Sequence, residues 1–460
     1  MLAGCAHFQP RPISPEETAR NLDARTLDDP AFKVFLEKNL QRQFDNWPPA
    51  AWDFDTLTLA AFYFHPSLEV ARAQWQVALG GNVTAAARPN PTITASPGYD
   101  FTATSVGMNP WIPGVSFDVP IETMGKRGYR QAQARHLSDS ARLNIAATAW
   151  QVRANLRASL LDFAAARERA ALLAQQNSIQ ERVVKSLTER FKAGAAASTE
   201  LALVQTALHR IQLDLSDARR QLADSRVRVA DATGISTKAL EGLELACDLA
   251  ASHPAASELT SAEVRDQALR GRADILGALA EYAASQSALQ LELAKQYPDL
   301  HFGPYYQFNN GDHQFTLSVS AELPVLNQNQ GPIAEAEARR TESAARFNAL
   351  QARVITEIDR AVAVYHATQE NLATLEALAA DQKKQAEAVT AQAKAGAADE
   401  LDLLHAQLEL SAGALVQLDG RIKAQQAYGA LEDALQRPLE ALKPSAIEQR
   451  HAQATKEKLP

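Results

Sequence analysis

The chain has 460 residues, only 6% of them aromatic, and a formal net charge of −8 at pH 7. Large side chains normally fill a thick globular core, whereas an alanine-rich chain favours slender helix bundles. The acidic balance, with no basic patch interleaved with aromatic residues, argues against nucleic-acid binding. No run of about 18 apolar residues occurs, so the sequence predicts no membrane-spanning helix.

Residues 1–50 are predicted to be a lipoprotein N-terminus followed by an extended linker, with one short helix near residues 30–43. Leu2-Ala3-Gly4-Cys5 is similar to a bacterial lipoprotein cleavage site, in which the cysteine becomes the lipid-bearing first residue. No basic and apolar leader precedes Leu2, so we expect the given start to be truncated or trimmed. The alternative is a chance match in an alanine-rich chain. Cys247 is interpreted as an isolated structural thiol.

The first pair of predicted strands follows a proline boundary. Asp55 is expected to cap a helix that ends before Arg88-Pro89-Asn90-Pro91. The apolar period then changes from 3.6 to 2, which predicts strands at about 91–103, with a break at Pro97-Gly98, and at about 113–122.

The second pair of strands is predicted at about 299–309 and 314–324. Asn309-Asn310-Gly311-Asp312 between them is a strong hairpin signal. Phe315, Leu317 and Val319 alternate with polar residues, which predicts a two-faced strand. A half-buried sheet of a soluble protein would give the same alternation. His301 and His313 flank this hairpin and are candidates for lining a polar surface.

Two very long helices are predicted. Neither Tyr129–Lys192 nor Ile333–Lys394 contains Pro or Gly, and each would span roughly 90 Å at the α-helical rise per residue. Their apolar residues recur at alternating spacings of three and four, which predicts a coiled-coil seam. Helices of this length must project from an ordinary domain.

Each long helix is predicted to turn back on itself at a glycine. Gly194 and Gly396 are expected to supply the left-handed turn that ends the outgoing helix. Ser198 and Asp399 are the natural N-caps of the returning helices. The sequence therefore predicts two long helical hairpins, each with its tip at a glycine.

The order of elements occurs twice, which indicates a duplicated half-protein rather than a solenoid. The corresponding positions are Pro120 and Pro324, Ala134-Arg135 and Ala338-Arg339, and Gly194 and Gly396. The predicted organisation is a first repeat at 51–240, a linker at 241–258, a second repeat at 259–440 and a C-terminal tail at 441–460.

No nucleophile elbow, phosphate loop or paired Cys/His motif is present, so the sequence predicts no enzyme, no catalytic residue and no cofactor. Glu200 and Asp402 each lie six residues after a tip glycine. A carboxylate in the first turn of a helix complements the helix dipole, which explains both without a function. Asp402 and His405 share one helix face and are weak candidates for metal ligands.

Taken together, these features resemble the outer-membrane efflux factor family, the TolC-like proteins, over about residues 52–440. The more specific motifs are Asp118–Arg127 (DVPIETMGKR) and its counterpart Leu323–Gly331 (LPVLNQNQG). Both are similar to the strand-to-helix signatures of the heavy-metal, CzcC-like branch, and Arg88-Pro89-Asn90-Pro91 fits that branch too.

The resemblance implies a mainly α fold with a small transmembrane β part. Four strands from each protomer of a homotrimer would complete a twelve-stranded β-barrel in the outer membrane of a Gram-negative bacterium. The helical hairpins would form an α-barrel across the periplasm. Phe315, Leu317 and Val319 would then face lipid, and Thr316, Ser318 and Glu322 the aqueous lumen.

The resemblance also assigns roles to the tips. Glu200 and Asp402 would form the periplasmic gate, and the tips at Gly194 and Gly396 would meet a periplasmic adaptor that links to an inner-membrane pump. Family members often carry a further carboxylate three residues after each gate residue, where this chain has Leu203 and His405, so a less acidic constriction is expected. Acylation of Cys5 would give a lasting lipid anchor in the outer membrane.

The predicted function is therefore an exit duct that exports divalent heavy-metal cations. Two alternatives remain at this point: a duct of the same fold for drugs or other organic compounds, and a lipid-anchored coiled-coil scaffold without a pore.

Overall fold

The computed structural model describes residues 7–103, 105–249 and 261–439. Its helices are α1 Pro15–Asp23, α2 Pro30–Leu40, α3 Phe54–Phe64, α4 Pro66–Ala86, α5 Lys126–Lys192, α6 Ser198–Thr233, α7 Ser261–Gly271, α8 Ala273–Ala294, α9 Gln330–Lys394 and α10 Glu400–Leu435. Its strands are β1 Ala51–Trp52, β2 Thr92–Tyr99, β3 Trp111–Ile121, β4 Glu244–Leu245, β5 Leu300–Asn309 and β6 Asp312–Ala321. Cys5, the second half of the predicted linker and the predicted tail lie outside the described residues.

The chain divides into two units. We call one the sheet unit, which comprises residues 70–147 and 269–354. The other, the helical unit, contains the described residues up to Glu69, between 148 and 268, and from Ile355 onward. No helix among the described residues combines the length and the apolar character needed to cross a bilayer.

The N-terminal segment is more structured than the predicted extended linker, because α1 and α2 both form there. Ser14 and Asp29 cap these helices, and Pro15 and Pro30 occupy their first positions. Proline favours the first helical position, where its missing N–H is not needed. The prolines therefore mark helix starts in this segment, rather than the extended chain predicted from them.

Phe32, on α2, anchors this segment in the helical unit. Its side chain is fully buried and its ring packs against those of Trp52, Tyr63 and Phe64, with centroids 5.2 to 6.2 Å apart. Trp52 is also fully buried, on β1, which pairs in parallel with β4. The N-terminal region is thus part of the core of the helical unit.

The helix expected to begin at Asp55 is instead two helices. Asp53 caps α3, since its carboxylate accepts a hydrogen bond from Thr56 N at 2.9 Å. Pro66 then ends α3, because a residue that precedes proline is disfavoured in the helical conformation. His65 accordingly has extended backbone angles, and α4 begins at Pro66.

The predicted coiled-coil seam is confirmed in the helical unit. Ile358 and Tyr365 on α9 are fully buried, as is Leu404 on α10. A further cluster joins α5 to α10, where Ile179 and Val183 pack against the beginning of α10. Apolar contacts between long helices therefore form most of the core of this unit.

A buried group of charges lies near the C-terminal end of α10. Arg157 donates to the carboxylate of Glu432 and, at 2.8 Å, to Gly429 O, while Arg153 donates to Glu432 at 3.0 Å. Phe54 lies against both guanidinium groups, 4.9 and 5.2 Å from its ring centroid. Two arginines thus neutralise Glu432, which is only 3% exposed.

Asp433 is the less well compensated carboxylate of this group. Its Oδ1 is buried without a hydrogen bond, and the nearest cation, Arg157, is 3.5 Å away. Loss of hydration therefore raises the pKa of Asp433 to about 6, although the two arginines oppose the shift. The carboxylate is charged at neutral pH at a cost in stability.

The four long strands form one antiparallel sheet in the order β2-β3-β5-β6. β2 continues through Pro97 and Gly98, so the predicted break there is wrong. β2 keeps its register through Pro97, which lies opposite Pro113 of β3. β2 ends at Tyr99 and β6 at Ala321, so Phe101 and Leu323 lie beyond the strands that were predicted to contain them.

We predict that Asp433→Asn stabilises the protein at pH 7.5 but not at pH 4. Because its folded pKa of about 6 exceeds its ordinary value of 3.8, the carboxyl favours folding most below pH 4 and loses that contribution as the pH rises to 6 and beyond. Since a third of the side chain remains accessible, we expect a gain of about 1–2 kcal/mol at pH 7.5.

The measurement is the unfolding free energy of parent and variant as a function of pH. Asp214→Asn, at an exposed position on α6, is the control for the removal of one negative charge. A gain for Asp433→Asn that is the same at pH 4 and pH 7.5 would contradict the assignment.

Candidate functional site

Both outgoing helices end in the same turn. After α5, Gly194 N donates to Phe191 O at 3.0 Å and Ala195 N to Arg190 O at 2.8 Å; after α9, the residues 202 positions further on repeat the pattern at 3.1 and 2.8 Å. Gly194 and Gly396 have φ of 74° and 76°. These bonds satisfy carbonyl groups at the helix ends, and the positive φ explains glycine at both tips.

The two returning helices begin differently. Asp399 caps α10 and accepts from Asp402 N at 2.9 Å, while Asp402 accepts from Asp399 N at 3.0 Å. The prediction of Asp399 as N-cap is confirmed. Ser198 was expected to cap α6 but is its first helical residue, and Ala197 is at the cap position. Ala197 and Asp399 are equivalent positions of the repeat, because they are separated by the same 202 residues as the two glycines. The repeat therefore indicated which residue of the first hairpin is the N-cap.

Two ion pairs connect the first hairpin to the second near the tips. Arg190 donates to Asp399 at 2.8 Å, and Arg182 to Glu400 at 3.2 Å. The hydrogen bond from Arg190 is the main cause that lowers the pKa of Asp399, followed by the bond from Asp402 N. Neither arginine was predicted from the sequence, because no local pattern shows that α5 lies beside the beginning of α10.

Glu200 and Asp402 occupy equivalent first-turn positions, and both are exposed. Glu200 also accepts from the backbone N–H of Ala197, at 3.4 Å. Each carboxylate thus accepts a hydrogen bond from a backbone N–H at the start of its own helix and is still exposed to solvent. His405 is exposed as well, and no group of three or more His, Cys, Asp or Glu side chains in the described parts of the chain could hold a metal. The structure therefore adds no third ligand to Asp402 and His405.

The sheet unit presents a second surface, a sheet with one apolar and one polar face. Paired residues of adjacent strands share a face. The rows of the apolar face include Ile93, Phe117, Pro304 and Leu317, and also Ala95, Val115, Tyr306 and Phe315. The polar face contains Thr94, Ser116, Tyr305 and Thr316 in one row. The predicted alternation of β6 is confirmed as a division between the two faces.

No described part of the chain covers the apolar face. Phe315, Leu317 and Val319 are 81%, 63% and 66% exposed. The outer edges of the sheet are also open, because β2 and β6 each have a single neighbouring strand among the described residues. Unpaired strand edges and an exposed apolar face are both features that demand a partner in the assembled state.

The profile of the family described as "Outer membrane efflux protein" matches residues 63–235 and 264–436. The chain belongs to the outer membrane efflux protein family. Each match contains one helical hairpin together with the helix and the pair of strands that precede it, which confirms the duplication. Membership makes the chain a transport protein rather than an enzyme.

Individual relatives are distant. The cobalt-zinc-cadmium resistance protein CzcC of Cupriavidus metallidurans is 23% identical over 216 residues, which cover 46% of this chain and 50% of that protein. The match thus spans about half of that relative's length.

Solved structures agree over more of the chain. The outer-membrane channel OprN superimposes with a TM-score of 0.70 and 17% identity, over 94% of this chain and 98% of that one. The outer membrane protein VceC of Vibrio cholerae gives 0.66 and 18%, over 83% and 95%. These likenesses confirm the predicted mainly helical, duplicated fold.

We predict that Asp399→Ala loosens the start of α10, because the variant loses both the helix cap and the partner of Arg190. A lost N-cap costs about 1 kcal/mol, so amide hydrogens in the first turn of α10 should exchange roughly fivefold faster. Ser198→Ala is the control, since Ser198 lies within the first turn of α6. Equal effects of the two substitutions would show that the Asp399 cap is not significant.

Proposed function

We propose that the chain is the outer-membrane exit duct of a tripartite export system. It works as a homotrimer in which three copies of the four-stranded sheet close into a twelve-stranded barrel. The observation that carries the proposal is the two-faced sheet with two open edges. Closure pairs every edge, the apolar face then meets lipid, and the polar face lines the lumen.

The distribution of aromatic residues supports a location of the hairpin ends at a membrane–water interface. Near the hairpin ends of the apolar face, Tyr99 and Trp111 are paired and their ring centroids are 5.1 Å apart. Tyr306 and Phe315 form a similar pair at 5.0 Å. Aromatic residues concentrate at the membrane–water interface of such barrels. The hairpin ends would therefore lie at one membrane–water interface, and the strand ends that lead into the helices at the other.

The helix tips are the proposed periplasmic mouth. In a trimer, Glu200 and Asp402 would each occur three times around the axis, where repulsion between like charges favours opening unless a cation bridges them. The ion pairs of Arg190 and Arg182 with the start of α10 oppose that opening. The exposed turns at Gly194 and Gly396 are the proposed docking points of a periplasmic adaptor, which connects the duct to an inner-membrane pump.

Divalent heavy-metal cations are the proposed cargo. The support is the likeness to CzcC, whose name records resistance to cobalt, zinc and cadmium, together with the motif at Asp118–Arg127. An acylated Cys5 would add a lipid anchor to the barrel's own contact with the outer membrane.

The pore is tested with purified protein in planar lipid bilayers. We predict a detergent-requiring trimer whose conductance rises several-fold in the double variant Glu200→Gln/Asp402→Asn, because neutral side chains no longer hold bridging cations at the mouth. Glu409→Gln, two turns further along α10, is the matched control. A water-soluble species that does not conduct would favour the coiled-coil scaffold instead.

The cargo is tested by growth. We predict that deletion of the gene sensitises the host to salts of zinc, cobalt, cadmium, copper or silver and leaves its growth on a panel of dyes and detergents unchanged. Restoration of growth by the intact gene on a plasmid is the control. Sensitivity to the organic panel alone would overturn the metal assignment and favour a duct for organic compounds.

A further inference from the structure

The polar face of the sheet carries a histidine–carboxylate pair that the proposed function does not use. Nδ1 of His301, on β5, lies 2.9 and 3.1 Å from the two carboxylate oxygens of Asp118, on β3. Asp118 and Pro120 alternate onto the same face, and Pro120 pairs with His301. Both members of the pair are nearly half exposed, at 47% for the aspartate side chain and 41% for the histidine.

This contact determines which ring nitrogen is free. Since both oxygens of Asp118 accept, Nδ1 of His301 carries the hydrogen, and Nε2 keeps its lone pair in the neutral ring. Histidines that bind metals in proteins are commonly oriented in this way, with a carboxylate holding the nitrogen that does not ligate. The pair therefore presents Nε2 as a ready metal ligand.

A second ligand is available in the cavity that His301 helps to line. This cavity of about 760 Å³ lies at the end of the sheet that leads into α5, and Glu322 also lines it. Two other carboxylates there are neutralised, Asp299 by Lys126 at 2.8 Å and Glu122 by Arg130 at 2.6 Å.

Glu322 differs from those two carboxylates. Within the part of the chain that the structure describes, it makes no hydrogen bond and no ion pair. It is exposed and follows directly on β6. A negative charge without a partner among the described residues therefore remains in the cavity that His301 also lines, and Glu322 follows two residues after Ser320, the strand partner of His301.

We propose that His301 Nε2 and the Glu322 carboxylate form a transit site for zinc- or cobalt-type divalent cations, with Asp118 as the residue that positions the imidazole. The proposal rests on the proposed function, because it places the site on the luminal face of a metal-exporting barrel. Imidazole and carboxylate together suit zinc and cobalt, whereas Mg²⁺ prefers oxygen ligands and keeps its water.

Two protein ligands per protomer are suited to transit rather than storage. Structural zinc sites have four protein ligands and hold the metal firmly. Here water would complete the coordination, so that the cation can bind and leave.

The test uses the purified full-length protein in detergent, in a background with Glu200→Gln, Asp402→Asn and His405→Gln, so that the tips bind no metal. Zinc binding is measured by equilibrium dialysis with Zn²⁺ alone, and Mg²⁺ is the comparison ion. His301→Gln should weaken the zinc affinity at least tenfold, and Asp118→Asn about tenfold, as is usual when the group that orients a metal-bound histidine is removed.

His313→Gln is the matched control. His313 belongs to the same sheet but lies on the apolar face, where Nδ1 is 2.8 Å from Tyr306 Oη. Its replacement should leave zinc binding unchanged. Equal zinc affinity in the parent and His301→Gln, or an equal loss in His313→Gln, would overturn the site.

The same proteins distinguish this proposal from the proposed function. In planar bilayers, zinc should reduce the conductance of the background protein, and His301→Gln should raise the half-blocking concentration by the same factor as in dialysis. A protein that binds zinc through His301 but never conducts would overturn the pore and keep the metal site. A protein that conducts without any zinc effect would keep the pore and overturn the site.

Discussion

The exposed edges and apolar face of the four-stranded sheet are the constraint on which the account depends. Each outer edge of β2 and β6 presents backbone N–H and C=O groups without a ladder partner among the described residues. In hydrocarbon such groups cost several kcal/mol each, so only a closed barrel is stable there. Side chains such as Phe315 make the alternative, an isolated sheet in water, equally unfavourable. Closure by further copies satisfies both demands.

The helix tips are stabilised by polar contacts rather than by the burial of apolar side chains. Asp399 caps its helix, pairs with Arg190 and is linked reciprocally to Asp402. These bonds are exposed and individually weak, which suits the periplasmic mouth that we propose at the tips. Below the tip, Val183 and Leu404 provide an apolar contact that keeps the two hairpins together.

Much of the fold was predictable because it depends on local signals. Each tip was marked by a glycine that ends a long stretch without proline or glycine, and the recurrence of this pattern showed the duplication. The alternation in Phe315–Val319 predicted the two faces of β6. The wrong predictions of helices have a common cause, which is the position of proline. Pro15 and Pro30 start helices rather than mark extended chain. Pro66 separates two helices at a point where the pattern of apolar residues shows no boundary.

The candidate sites were only partly predictable, since contacts between distant residues decide them. Glu200 and Asp402 stood out by their distance from a glycine, and their positions in the first helical turns agree with that spacing. The partners Arg190 and Asp399 are separated by 209 residues, and His301 and Asp118 by 183. A sequence pattern gives no register between such segments, so these pairs became visible only with the strand and helix pairing.

The most direct test of the central claim measures which face of β6 meets lipid. Single cysteines at positions 315 to 320, in a chain without its natural cysteines, would be spin-labelled and reconstituted in lipid vesicles. Labels at 315, 317 and 319 should be relaxed by oxygen, which concentrates in lipid, and those at 316, 318 and 320 by a water-soluble nickel complex. Equal accessibility at all six positions, or apolar positions shielded from both reagents, would contradict the barrel.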